Sequence, residues 1–296
     1  MKVLATIKCE LSEDQRLYDY CLGKFPELPS RKSVKKAIDS GQIFVNGEFQ
    51  KTGYWLRGGE TIQFIDLENK PPKPYRLELE ILFEDDHLIV VNKPSGILVS
   101  GNQFKTLTNI LAYNFTKSKV PDALNWPLTV HRIDQPTSGI VIAAKSISSR
   151  IKLGEQFKKK EIKKTYHAIA IGNPPDSFYN DDPINEKKSL TEFKKVKTVN
   201  SIRSNHLSLL EINPKTGRKH QIRKHLSQMG YPILGDQIYS PEHLKLKHKG
   251  LFLCASRVQF SHPITKKLID IRLDLPKKYE KRLESEFRRW KKAVQT

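Results

Sequence analysis

The chain has 296 residues, with 52 Lys and Arg against 32 Asp and Glu for a net charge of +20. That length suits one large domain plus a smaller one, and the charge calls for a polyanionic partner, nucleic acid or an anionic membrane surface. No apolar run approaches the roughly 18 residues of a membrane span and the first residues lack a signal peptide's apolar core, so a cytoplasmic monomer is the expectation.

Near the N-terminus, "LPSRKSVKKAIDSG" predicts a helix capped at Ser30 or Ser33, with Val34, Ala37 and Ile38 on one stripe and Gly41 as its stop. "IFVNG" predicts a strand running into a tight Asn46-Gly47 turn, and "LRGGETIQF" a further turn and strand. Arg31, Lys32, Lys35 and Lys36 fall off the apolar stripe, which suits either a solvated face or a phosphate-binding one. The three prolines of "ENKPPKPY" predict an extended linker over 69–76, between a domain at 1–68 and another at 77–296.

Beyond the linker, "LELEILFEDDHLIVVNK" predicts strands broken at Asp85-Asp86, then a turn at Lys93-Pro94-Ser95-Gly96. The spacing of Ile147, Ile151 and Phe157 predicts a helix over 145–160. "KKTYHAIAIG", "HLSLLEIN" and "FLCASRVQFSH" predict strands, and "HQIRKHLSQMG" a helix. The tail predicts a basic helix whose Leu283, Phe287 and Trp290 form a core-facing stripe. Strands and helices mix without a regular βαβ repeat, so the larger domain is of the α+β class.

Several chemistries find no support. Cys9, Cys21 and Cys254 lack CxxC spacing and read as buried thiols; His220 and His225 are five apart with no HExxH glutamate. No phosphate loop, dinucleotide fingerprint or serine elbow occurs, and "HRID" departs from a kinase loop in the position of its aspartate. What stands out is "HRIDQPTSG", with Asp134 directly after an Arg-Ile pair. An arginine nearby favours the ionised carboxylate, which could act as nucleophile or base; the same Asp could equally cap its own turn.

"HRIDQPTSG" resembles the HRLDxxTSG motif of the RluA-type pseudouridine synthases. "EDDHLIVVNKPSGILV", "FKKKEIKKTYHAIAIG", "INPKTGRKHQIRKHLSQMGYPILGDQIY" and "LCASRVQFSHPIT" are similar to that family's other segments, in its order, over about residues 78–276. The departures are Ile133, Lys219 and Cys254. The resemblance implies a catalytic domain with a mixed, largely antiparallel sheet and flanking helices, in which Asp134 attacks the target uridine, Arg223 pairs with Asp134, and Tyr166 stacks on the uracil and helps its later proton loss. It also implies that His131 and Arg132 contact RNA, Arg132 filling the flipped base's place or gripping phosphate, and that no cofactor, nucleotide or metal is needed. Residues 10–66 resemble the small RNA-binding module of ribosomal protein S-four, which turns Arg31, Lys32, Lys35 and Lys36 towards phosphate. The expected substrate is structured RNA, ribosomal rather than transfer RNA; a non-catalytic RNA-binding or ribosome-assembly protein on the same fold is the alternative.

Overall fold

The computed structural model describes residues 2–39, 41–66, 72–246 and 249–295. Two compact units emerge, Met1–Pro71 and Pro72–Thr296. The expected linker at 69–76 falls partly on 69–71, outside the described residues.

In the first unit, β1 (Lys2–Lys8) is followed by β2 (Gln15–Arg16), the single turn α1 (Leu17–Tyr20) and α2 (Arg31–Asp39). Four short strands complete it: β3 (Ile43–Val45), β4 (Glu48–Phe49), β5 (Trp55–Leu56) and β6 (Thr61–Asp66). The main sheet has the order β1-β6-β3-β4, and β2 pairs with β5. Ser30 caps α2: its hydroxyl accepts the Ser33 N–H at 3.1 Å while Ser33 Oγ accepts the Ser30 N–H at 3.0 Å. Two donors are thereby satisfied reciprocally, which contributes about 1 kcal/mol. Val34, Ala37 and Ile38 enter the core beside Phe25 and Ile62, and the two positive-φ residues Asn46 and Gly47 turn β3 into β4. Arg31, Lys32, Lys35 and Lys36 are all exposed, on the side away from that core.

The second unit is built on one ten-stranded sheet. Its strands are β7 (Glu80–Glu84), β8 (Leu88–Lys93), β9 (Ala123–Thr129), β10 (Ser138–Ser146), β11 (Lys163–Ile171), β12 (Ser177–Asn180), β13 (Thr191–Ser201), β14 (Asn205–Pro214), β15 (Leu253–Ser261) and β16 (Leu268–Arg272). The order is β12-β13-β14-β11-β15-β10-β8-β7, with β9 added to β10 and β16 to β15. Every pairing is antiparallel except β10 with β15, a parallel contact of two residue pairs, Ser138 with Cys254 and Gly139 with Ala255. This largely antiparallel α+β architecture is the expected class.

Alternation along the strands assigns the two faces. Ile89, Val91, Val141 and Ala143 pack with α3 (Leu107–Leu111), and Ala168 and Ala170 pack with Ile222 and Leu226 of α5 (Gln221–Gln228), all on one face. On the other, Val90 and Ile142 meet Leu153 of α4 (Ile147–Lys158), while Ile169 and Ile171 meet Tyr279 and Leu283 of α6 (Lys278–Gln295). The helix expected over 145–160 is α4, docked chiefly by Leu153, with Ile147, Ile151 and Phe157 only partly buried. One expected stripe is corrected here. In α6, Leu283 is buried but Phe287 is 43% exposed and stacks on Trp290, because the helix runs past the end of the cluster it packs on. All three cysteines are buried and unpaired.

Candidate active site

The seam where β10, β15 and β11 meet carries the site. Gly139 makes that seam possible: a Cβ there would lie 2.2 Å from the Ala255 carbonyl oxygen, and its φ of 111° is one that other residues rarely adopt. Immediately before it stands the turn carrying Asp134. The backbone closes this turn, the Thr137 N–H donating to the Asp134 carbonyl at 3.1 Å, so the carboxylate is not consumed in capping its own turn.

A second turn clamps the first. The Gly96 N–H and Lys93 Nζ donate to the Gln135 carbonyl at 2.8 and 3.2 Å, and Ser95 Oγ donates to the Pro136 carbonyl at 2.7 Å. Lys93 has no exposed surface and also donates to the carbonyls of Pro94 and Ile97, at 2.9 and 2.8 Å. Burial brings its ammonium down to about 8 against the opposing pull of Asp134. A buried lysine survives because three carbonyls replace its water. Sequence reasoning passed over it, although Lys93 continues the inward alternation of Ile89 and Val91.

Asp134 is 22% exposed and faces two groups, Arg223 Nη1 at 3.5 Å and His220 Nε2 at 3.8 Å. Arg223 lies in the first turn of α5, and its principal partner is a residue the sequence reading missed. Asp236, fully buried, takes Nε and Nη2 at 2.7 and 2.8 Å in a two-pronged pair. Burial works hardest against ionising Asp236. The Arg223 hydrogen bonds and the N–H groups of Ile238 and Tyr239 overcome it and hold the carboxyl below its usual range. Arg223 therefore enters the cleft already oriented, with one Nη left for Asp134. Its guanidinium also sits 5.1 Å from the centroid of the Tyr239 ring. The only hint in the sequence was a lone Asp within "YPILGDQIY".

Tyr166, on β11, packs against both apolar clusters of the cleft face and so sits at the seam itself. Burial, and then the charge of Asp134, push its phenol well above the ordinary value, so the hydroxyl stays protonated. Arg132 is exposed and lines the cleft, and among the described residues no carboxylate lies within ion-pair distance of it.

His131 also lines the cleft, but its ring nitrogen is engaged within the protein. Its Nε2 accepts the Ile142 N–H at 3.0 Å, and its ring stacks on Phe157 with 4.7 Å between centroids. Burial, helped by Lys164, lowers its pKa to about 3. A neutral ring whose lone pair holds β10 adds no positive charge to the cleft.

Asp134, Tyr166, Arg132 and Arg223 all line one cleft of about 1450 Å³. Its apolar floor includes Ile133, Ile222 and Leu253, while the lining holds ten Lys and Arg against two carboxylates, Asp134 and Glu211. A polyanion is attracted to such a rim, and a flat apolar ring suits such a floor. Arg31, Lys32, Lys35 and Lys36 belong to the other unit, where Lys35 borders a small pocket with Arg16 and Tyr18.

Residues 87–228 match a family model described as RNA pseudouridylate synthase. An uncharacterized RNA pseudouridine synthase of Bacillus subtilis, YhcT, is 34% identical over 258 residues, 81% of this chain and 83% of that protein. The ribosomal large subunit pseudouridine synthase C of Rickettsia typhi is 30% identical, over 90% of this chain and 96% of that one. Among solved structures, human RNA pseudouridylate synthase domain containing 1 shares the fold with a TM-score of 0.56 at 21% identity, covering 67% of this chain and 83% of that one. The chain belongs to the RNA pseudouridine synthases, isomerases that convert uridine to pseudouridine within RNA.

Proposed function

We propose that the protein converts specific uridines of large-subunit ribosomal RNA to pseudouridine, with Asp134 as nucleophile. One observation carries this reading: a carboxylate aimed by Arg223 at 3.5 Å lies in a cleft whose remaining charge is almost wholly positive. The ribosomal substrate is supported by the names of its relatives, several of which are ribosomal large subunit synthases.

A stacked uridine offers neither its sugar bond nor its ring to Asp134, so the nucleotide must be extruded, at a cost of a few kcal/mol. Arg132, exposed at the mouth, would fill the vacated stack or grip the flanking phosphate; a guanidinium plane does both, whereas lysine does so poorly. In the cleft the uracil stacks on Tyr166, and Asp134 attacks the ribose as the glycosidic bond breaks. The protonated phenol can then donate to the detached uracil anion, which turns and rejoins the ribose through carbon. Arg31, Lys32, Lys35 and Lys36 would add phosphate contacts that position the RNA without reading its sequence, in the manner of the S-four module. One chain supplies Asp134, Tyr166 and Arg223, and we take it to act as a cytoplasmic monomer.

Two measurements test the reading. Pseudouridine mapping of total RNA from cells with and without the protein should lose sites in large-subunit RNA; losses confined to transfer RNA would move the substrate there. Asp134→Asn should bind RNA as the wild type does and release less than about one per cent of its tritium from ring-labelled uridine. Unchanged release would give the chemistry to another group, and a wild-type protein without release would make this a binding protein.

A further inference from the structure

Every residue lining the cleft belongs to the second unit, and the first unit carries a feature that the cleft does not use. Trp55 is 51% exposed, although a tryptophan is a large apolar side chain that folding ordinarily covers. Alternation sets its direction: in β5, Leu56 turns inward with no exposed surface, and Trp55 therefore turns out. The pairing of β2 with β5 places Arg16 directly opposite, and its guanidinium carbon lies 5.3 Å from the centroid of the Trp55 ring. Both residues are held by their neighbours. Leu17, after Arg16, is buried, and its N–H donates at 2.7 Å to the carbonyl of Tyr54, before Trp55. Two planar groups are thus presented on a fixed backbone, with half of the indole still open to water.

The charge around them is unspent. Arg16 and Lys35 border one small pocket, and Arg31, Lys32 and Lys36 stand exposed on the same helix as Lys35. Among the described residues, none of these cations has a carboxylate within ion-pair distance. Asp19, the one carboxylate on the pocket, repels phosphate only from its own side. Cations that pair with nothing in the protein suit a polyanion. Phosphate alone, however, has no use for an open indole. A nucleobase does, because it brings a flat face to stack on the ring, and that face is free only where the strand is unpaired.

We propose that Trp55 and Arg16 form a stacking platform for an unpaired base of the RNA, with Lys35 and its neighbours on α2 holding the adjacent phosphates. This rests on RNA being the partner and is independent of the chemistry at Asp134. The first unit then recognises a loop or bulge in preference to a uniform duplex, whose base faces are covered by one another. Stacking on an aromatic ring tolerates every base, so the platform selects an unpaired strand and leaves its sequence unread.

The test uses full-length wild type, Trp55→Ala, Trp55→Phe and Lys35→Ala with RNA that contains no uridine, so that the reaction at Asp134 cannot enter. The probes are a short oligoadenylate, a ribose-phosphate strand of equal length without bases, and a guanosine-cytidine duplex of equal length. Trp55→Ala should bind the oligoadenylate about 10-fold or more weaker than wild type, the loss of one stacked base. Its binding to the other two probes should be unchanged, and Trp55→Phe, which keeps a ring, should recover part of the loss. The slope of log affinity against log salt should hold in Trp55→Ala and fall by about 0.7 in Lys35→Ala. The Trp55 share of the fluorescence, obtained by difference from Trp55→Phe, should be quenched by oligoadenylate and not by the strand without bases. Equal binding by Trp55→Ala with no such quenching overturns the platform and leaves Trp55 a strand residue covered by Arg16 alone. Equal losses on all three probes overturn it too, since the ring would then be supporting the basic face. If Trp55→Ala does not fold, the quenching decides. Wild type that binds none of the probes would remove RNA from this face, whereas turnover by Asp134→Asn would sink only the nucleophile reading.

Discussion

Tyr166 and His131 show how burial can decide a residue's chemistry. With its phenol held protonated by burial and by Asp134, Tyr166 can stack and can donate one hydrogen bond. Tyr166→Phe removes only the donor, so RNA binding should survive while the single-turnover rate falls by about 10²-fold or more. An unchanged rate would reduce Tyr166 to a stacking surface. For His131, the neutral ring is part of the fold, and its pKa of about 3 lies below the roughly 6.5 of an unfolded chain. On acidification the unfolded chain takes up the proton first. The stability contributed is therefore complete above pH 6.5 and is lost as pH falls towards 3, by at most about 1.4 kcal/mol per pH unit. Urea midpoints followed from about pH 7 to 5 should fall more steeply for wild type than for His131→Gln; parallel curves would show that the ring does not titrate through folding.

At the scale of elements, the parallel contact between β10 and β15 joins the two halves of the large sheet, and at Gly139 it leaves no room for a Cβ. Gly139→Ala would drive a methyl group to 2.2 Å from the Ala255 carbonyl oxygen, in a backbone conformation strained for alanine. Neither strand can retreat, since β8 and β9 hold β10 while β11 and β16 hold β15. The expected loss is about 3 kcal/mol or more, read as a lower urea midpoint, with activity falling because the Asp134 turn directly precedes the glycine. A variant within 1 kcal/mol of wild type would show that the seam is slack. Propensity reading overlooked β1, β9, β10, β12, β16 and β13, of which β13, "TEFKKVKTVNS", is the longest in the large sheet at 11 residues. Exposed Glu192, Lys194 and Lys197 make it read as polar and mask the buried Thr191, Phe193, Val199 and Ser201. A bulge between Lys195 and Lys197 shifts the alternation midway, so no single period runs through it.

The whole molecule divides its charge between two units that each have an apolar core. Deleting residues 1–71 removes Arg31, Lys32, Lys35 and Lys36 but leaves every cleft residue in place. If that face makes two to four phosphate contacts, the slope of log affinity against log salt should fall by roughly 1.5–3.5, at about 0.7–0.9 per contact. The saturating single-turnover rate should change little. An unaltered slope would make the basic helix a solvated face, and a lost rate in a folded truncation would give the first unit a part in catalysis.

The catalytic segments, the basic α2 face and half the strands of the large sheet, β7, β8, β11, β14 and β15, were legible in the sequence, because motifs and period-2 alternation depend on neighbours a few residues apart. Asp134, Tyr166 and Arg223 could be named singly from their motifs. Their meeting could not, since it requires residues 89 positions apart to close to 3.5 Å across the sheet. The same holds for what surrounds them. Asp236 orients Arg223, Lys93 clamps the Asp134 turn, and His131 spends its lone pair on β10, each through burial that only packing creates. Local sequence determines which groups can ionise or donate; the fold removes water from some of them and supplies their partners, and that desolvation decides which remain free for chemistry.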